Sequence, residues 1–349
     1  MLFNKINLQL FANHLNVTTD YRDTQTTPYN AESVGGANTL SAEMKTFYDM
    51  TLIDEASAQL VHDQFGQKRP IPQGGGKVIE FRKFSPLPKA TTALTEGVTP
   101  DGKRLDVTAI TAEVSQYGDY ITQTDILELT ALDNTILEAT KLLGKQAGLT
   151  LDTVVRNVLN AGLNVSYASK VVDGAETPVG TRAELDTTAV LTVKTVQKAV
   201  AKLKGQNAPK INGAYVGIIH PYNAYQLMRD PEWKYPHQYQ DTTNLYEGEI
   251  GMVAGVRFVE TTEAKIWKQG ENSIYSTLII GEGAYGVTEI TGGGLTTIVK
   301  QKGSAGTADP LDQRSSVGWK AIKTAELLVP SYLVRIESCV PDFNDVAAN

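Results

Sequence analysis

Cysteine, histidine, basic runs and long apolar stretches are all scarce in this 349-residue chain, and each scarcity excludes something. Cys339 stands alone and cannot close an internal disulfide, as expected in a reducing cytoplasm. It reads as a small buried hydrophobe. His14, His62, His220 and His237 have no carboxylate, cysteine or second histidine at metal-ligand spacing, so no metal and no cofactor is expected. No apolar run nears the roughly 18 residues of a membrane span, and no membrane partner is expected. The start, MLFNKINLQLFA, is too broken by Asn and Gln to be a secretory core. Lys and Arg number 32 against 39 Asp and Glu, giving a net charge of −7 with no contiguous basic run. Such a surface repels nucleic acid at long range, so any DNA nearby is expected to be enclosed or tolerated, not gripped.

Hydrophobic residues at 41% and charged residues at 20% are globular values. The length suits two lobes or one elongated body. Residues 13–40, rich in Thr, Asn, Asp and Gly, read as a flexible arm. Met44, Phe47, Leu52, Ile53, Ala56, Leu60 and Val61 then predict a helix over about 41–65, with Ser41 as N-cap and Gly66 as stop. Residues 77–84 alternate, with Ile79 and Phe81 on one face and Glu80 and Arg82 on the other. Residues 105–114 alternate again, with Leu105, Val107 and Ala109 set against Asp106, Thr108 and Thr111. Together they predict a long hairpin with a tip of about 20 residues. A two-stranded ribbon is marginal alone in water, and nothing in its own sequence names the surface that covers it.

A longer helix is predicted over about 133–161, from Leu132, Ile136, Leu143, Ala147, Leu151, Val154, Val158 and Leu159, capped by Asp133 or Asn134 and closed by Gly162. Residues 186–283 alternate between α and β texture. A helix ends at Gly205, a buried strand covers 214–219, Pro221 opens a helix over 222–229, and strands cover 256–259 and 274–280. The segments 318–322 and 332–336 are expected to rejoin the sheet beside the long helix.

The search for chemistry returns little. Gly281, Gly283 and Gly286 spell G-x-G-x-x-G after an apolar strand, yet the β-branched, Gly-broken run 287–299 starts no helix on which a pyrophosphate would rest. The glycines instead read as a strand leaving its sheet at a sharp angle. His220, at a strand end, is expected to bond to neighbouring backbone. No nucleophile elbow or P-loop occurs. The aromatic run Trp233, Tyr235, His237, Tyr239, Tyr246 lacks the basic cluster that base stacking needs and reads as loop or interface packing.

The order of arm, helix, ribbon, very long helix and separate lobe leaves surfaces that neighbouring copies of the chain would cover. It resembles the tailed-phage major capsid proteins of Hong Kong 97-like fold, and more closely those typified by the coliphage N4 coat protein. The residues that carry the likeness include FYDMTLIDEASAQLVHDQFGQKRPIP (47–72), GGGKVIEFRKF (74–84), ITQTDILELTALD (121–133), QAGLTLDTVVRNVL (146–159), IIHPYNAYQLMRDPEW (218–233), IIGEGAYGVTEI (279–290) and DPLDQRSSVGWKA (309–321).

The resemblance implies an α+β Hong Kong 97-like capsid fold. It would comprise an N-terminal arm (1–72), a long β-hairpin E-loop (73–120) and a peripheral domain with its spine helix (121–185). A mixed α/β axial domain (186–300) and return strands to the peripheral domain (301–349) would complete it. It implies no enzyme activity. The chain would self-assemble as pentamers and hexamers into an icosahedral shell around double-stranded DNA enclosed without sequence recognition, in the virion and assembled in the bacterial host cytoplasm. The implied partners are a separate scaffold protein and a portal, with room left for decoration proteins. The segment NLQLFA (7–12) is similar to a leader of structural proteins in phages of Gram-positive hosts. Lys89, Glu96, Asp101, Lys103 and Arg104 at the hairpin tip, with Trp233 and Tyr235, are the candidate inter-subunit contacts. An encapsulin-like compartment shell is the alternative of the same fold, and a nucleotide-binding enzyme using Gly281–Gly286 is the alternative of another class.

Overall fold

The computed structural model describes residues 42–70, 77–84, 87, 89–94, 96, 97, 99, 102–126, 135–233, 251–288, 295–304 and 309–349. The expected arm, the NLQLFA segment and the caps Ser41, Asp133 and Asn134 lie outside these residues. The chain divides into two compact units, one drawn from 1–59, 116–150 and 290–322, the other from 60–115, 151–289 and 323–349.

In the first unit, helix α1 (Ala42–Gln59) meets the opening half of helix α2 (Thr135–Asn160). Gly144 and Gly148, one turn apart on α2, allow the close approach. A Cβ at Gly144 would stand 3.0 Å from the Leu52 carbonyl oxygen, and one at Gly148 2.5 Å from that of Ala56. Strands β4 (Ser115–Thr124), β14 (Leu295–Lys300) and β15 (Arg314–Lys323) form a sheet in the order β14-β15-β4. Gln146 on α2 ties it down, donating to Asp119 at 2.6 Å and accepting from the Trp319 indole at 3.3 Å.

The second unit holds a seven-stranded mixed sheet in the order β5-β17-β12-β8-β10-β9, with β11 also paired to β12. These are β5 (Val165–Tyr167), β8 (Tyr215–Ile219), β9 (Met252–Val253), β10 (Val256–Glu260), β11 (Ile266–Gln269), β12 (Asn272–Ile280) and β17 (Leu333–Cys339). Both β8 and β17 are buried along their whole length, as strands covered on both faces must be. Helix α3 (Val193–Gly205) and helix α4 (Pro221–Met228) supply core residues from one side, including Val196, Leu203, Ala224 and Leu227. Leu159 and Val155 of α2 enter a second cluster with Ile218, Leu278 and Tyr285. A smaller sheet joins β1 (Gln67–Arg69), β13 (Tyr285–Thr288) and β16 (Ala325–Leu327). Strands β2 (Val78–Phe84) and β3 (Val107–Glu113) form the ribbon, and β6 (Lys170–Val172) with β7 (Ala175–Thr177) a short hairpin.

Three expectations need correction. The helix expected to reach residue 65 ends at Gln59. Its continuation is diverted, because the His62 amide donates to Asp152 Oδ1 at 2.7 Å instead of to a carbonyl one turn back. Gly66 serves close packing: a Cβ there would lie 2.6 Å from the Tyr285 ring. The inward face of β3 is Ile110, Ala112 and Val114, not Leu105, Val107 and Ala109. The register decides this, since Ile110 pairs with Phe81 and Ala112 with Ile79, and cross-strand partners share a face. Finally, the segments 318–322 and 332–336 part company: the first lies in β15 beside β14 and β4, the second in β17 beside β12 and β5.

Candidate assembly surface

Among the described residues, the ribbon finds cover on its own chain at its base. Ile79, Phe81 and Ala112 are buried with Leu328, and Ile110, Val114 and Val329 pack against them. Phe81 packs against Gly286, where an added Cβ would come within 2.3 Å of its ring. Away from this base, among the described residues, Leu87, Leu94, Leu105 and Val107 are 58%, 77%, 57% and 48% exposed. Burying such side chains is worth roughly 1.5–3 kcal/mol each, which the isolated subunit does not gain.

Of the candidate contact residues, Lys89, Glu96, Lys103 and Arg104 are exposed in the ribbon's tip. Asp101 and Tyr235 lie outside the described residues. Trp233 sits elsewhere than expected: it is buried in the core with Leu191, Val196, Val253 and Val256, so its own chain already covers the ring.

The G-x-G-x-x-G stretch is a strand–turn–strand. After β12 the backbone turns at Gly283, whose φ is +71°, and leaves the large sheet to continue as β13 between β1 and β16. Gly281 packs within 2.9 Å (Cβ position) of the Pro209 carbonyl oxygen. A turn with a strand on either side offers no helix N-terminus for a pyrophosphate. His220 accepts a hydrogen bond from the Tyr222 amide at 3.2 Å and caps α4, and burial lowers its pKa to about 4. It is a neutral capping group near neutral pH. Burial pushes the Cys339 thiol up to about 12, so no thiolate forms.

Sequence reading missed a set of buried ionic groups whose partners are far apart in the chain. His62 Nδ1 meets Asp152 Oδ2 at 2.6 Å, both fully buried. Lys323 is enclosed by Asp63 and the Thr288 carbonyl, and burial lowers its pKa while Asp63 pulls it back. Glu337 receives Arg182 through two bonds of 2.6 Å and Arg335 at 2.9 Å, with Arg182 stacked 3.9 Å over Trp267. Each of these groups is tied to a residue distant in the chain, which is the geometry of internal ties between elements rather than of a reactive centre. Among the described residues no group of three metal-ligating side chains comes together.

The chain is similar in structure to the capsid of cyanophage P-SCSP1u, with a TM-score of 0.60, 15% identity, and 79% of this chain and 87% of that one covered. For the capsid of Ralstonia phage GP4 the TM-score is 0.61 at 12% identity, covering 81% and 89%. For the acid-stable capsid of Helicobacter pylori bacteriophage KHP30 it is 0.56 at 13% identity, covering 80% and 89%. At such identities the likeness carries the fold, and the fold is the Hong Kong 97-like α+β fold of capsid shells. The family model described as phage capsid protein matches residues 10–293, and the chain belongs to that family. It is a major capsid protein, a structural component of the virion shell and not an enzyme. No curated protein sequence matches the chain.

Proposed function

We propose that this chain is the coat subunit of a tailed phage or prophage, of the type found in coliphage N4, closing as pentamers and hexamers into an icosahedral shell around double-stranded DNA. The arm (1–72) and the ribbon (73–120) reach over adjacent copies, and residues 205–250 face the capsomer centre. The peripheral domain takes 121–185 with its return strands in 301–349, and the axial domain takes 186–300. A separate scaffold protein, a portal and decoration proteins are its partners, and the procapsid assembles in the host cytoplasm.

One observation carries this reading: the ribbon is buried at its base and bare beyond it, with Leu87, Leu94, Leu105 and Val107 open to solvent. A second copy supplies the missing cover most economically. Lys89, Glu96, Asp101, Lys103 and Arg104 then make inter-subunit ion pairs that set register more than strength, each contributing about 0–1 kcal/mol.

Negative-stain electron microscopy of the overexpressed protein tests the reading. Closed, regular shells are expected from the full chain. Deletion of residues 85–104 is expected to leave soluble subunits and no shells. Normal particles from the deletion would remove the ribbon from the assembly mechanism, and full-length protein that never closes would overturn the reading itself.

A further inference from the structure

We infer that the outer face of α3 is a docking surface for the phosphate backbone of double-stranded DNA. The inference rests on the reading of the chain as a shell subunit around packaged duplex. No contiguous basic run exists in the sequence, but the helix gathers one by periodicity. Val193, Val196, Ala199, Val200 and Leu203 are buried, while Lys194, Lys198 and Lys202 recur at four-residue steps on one exposed stripe and Lys204 is exposed on the other flank. Between Val193 and Gly205 there is no Asp or Glu, in a chain whose net charge is −7.

The two ends of this face differ. At the N-terminal end the charge is answered, because Glu176 takes Lys194 at 2.5 Å and Asp230 accepts from the Val193 amide at 2.9 Å. Further along it is not: among the described residues no carboxylate forms an ion pair with Lys198, Lys202 or Lys204. Lys202 spends one N–H on the Val165 carbonyl at 3.2 Å and keeps two. The helix dipole favours cations in the last turn, which accounts for Lys202 and Lys204 but does not reach Lys198. Lys198 and Lys202 stand one turn apart, about 6 Å along the axis. Ammonium groups on flexible stems grip phosphates as point charges and read no bases, which suits a partner enclosed without sequence recognition. An acidic patch on another copy of the chain is the competing occupant.

The test is fluorescence anisotropy of the full-length soluble subunit with a labelled duplex. Two phosphate contacts, from Lys198 and Lys202 on one stripe of the helix, give a log–log salt slope of about −1.8, so affinity is expected to fall about 12-fold between about 50 and 200 mM salt. The triple variant K198Q/K202Q/K204Q, which keeps helix propensity, is expected to flatten that slope toward zero. K194Q, whose charge already faces Glu176, is expected to leave it almost unchanged. An unaltered slope in the triple variant, or no binding by wild type at the lower salt, overturns the inference. Loss of closed shells in the triple variant overturns it too, by making this face a contact between copies. Wild-type protein that binds duplex with the expected slope but never closes would overturn the shell reading alone.

Discussion

The strands β12 and β3 are both extended chain, yet they live in different surroundings. Eight of the nine residues of β12 are buried, whereas β3 buries only Ala112 of its seven. The first has β17 along one edge and β8 and β11 along the other, with apolar clusters over its faces. The second has one partner, β2, and its cover comes from the small cluster of Ile79, Phe81, Ala112 and Leu328 at the ribbon's base. A strand of the first kind holds a subunit together. One of the second kind has folding paid for elsewhere and leaves its own apolar surface for a neighbour to use.

The sharpest way to break the comparison is to remove a buried side chain from the sheet. Ile279→Ala, at a site with no exposure, is expected to cost the subunit about 2–5 kcal/mol through lost burial and the cavity left behind. The midpoint of urea unfolding measures it, and a change below about 1 kcal/mol would mean that this sheet is not the stabilising core. Gly286→Ala acts at the seam between ribbon and body. The new methyl meets the Phe81 ring, an overpacking expected to cost about 1–3 kcal/mol and to loosen the ribbon's base. Faster amide exchange in 78–84 and 107–113 with the β12 amides unaffected is the expected signature. Equal loss in both would show that ribbon and sheet unfold as one unit.

How far the sequence announced these regions follows the same division. Regular burial leaves a period, so α3, α4, β8 and β12 were legible from their apolar spacing. The inward face of β3 was not, because Ala112 is less apolar than the outward Leu105 and Val107, and only pairing with Ile79 and Phe81 shows which side is in. Trp233 heads an aromatic run of interface composition, yet tertiary packing carried it into the core. His62 and Asp152 are 90 residues apart, and no local pattern could join them. The close approach at Gly144 and Gly148 was hidden too, since glycine on a helix registers as a weakness until the neighbouring backbone is in view. Lys89, Glu96, Lys103 and Arg104 were legible as exposed residues, which is as much as a surface ion's sequence can reveal.

The smallest effect on the subunit is the most informative about assembly. The double variant L105S/V107S changes two side chains already about half exposed or more, on the outward face of the ribbon. Surface substitutions away from packed features usually stay within about 0.5 kcal/mol each, so the urea midpoint of the soluble subunit is expected to remain nearly where it was. If a neighbouring copy covers these positions, each lost contact recurs at every subunit of the shell, and shell yield is expected to fall steeply at a given protein concentration. Particle counts by negative stain alongside the unfolding midpoint separate the two. A loss of shells with an unchanged midpoint places the value of these residues between copies. An unchanged yield would mean that the bare half of the ribbon faces solvent in the assembled particle as it does in the single chain, and the comparison with β12 would then concern the subunit alone.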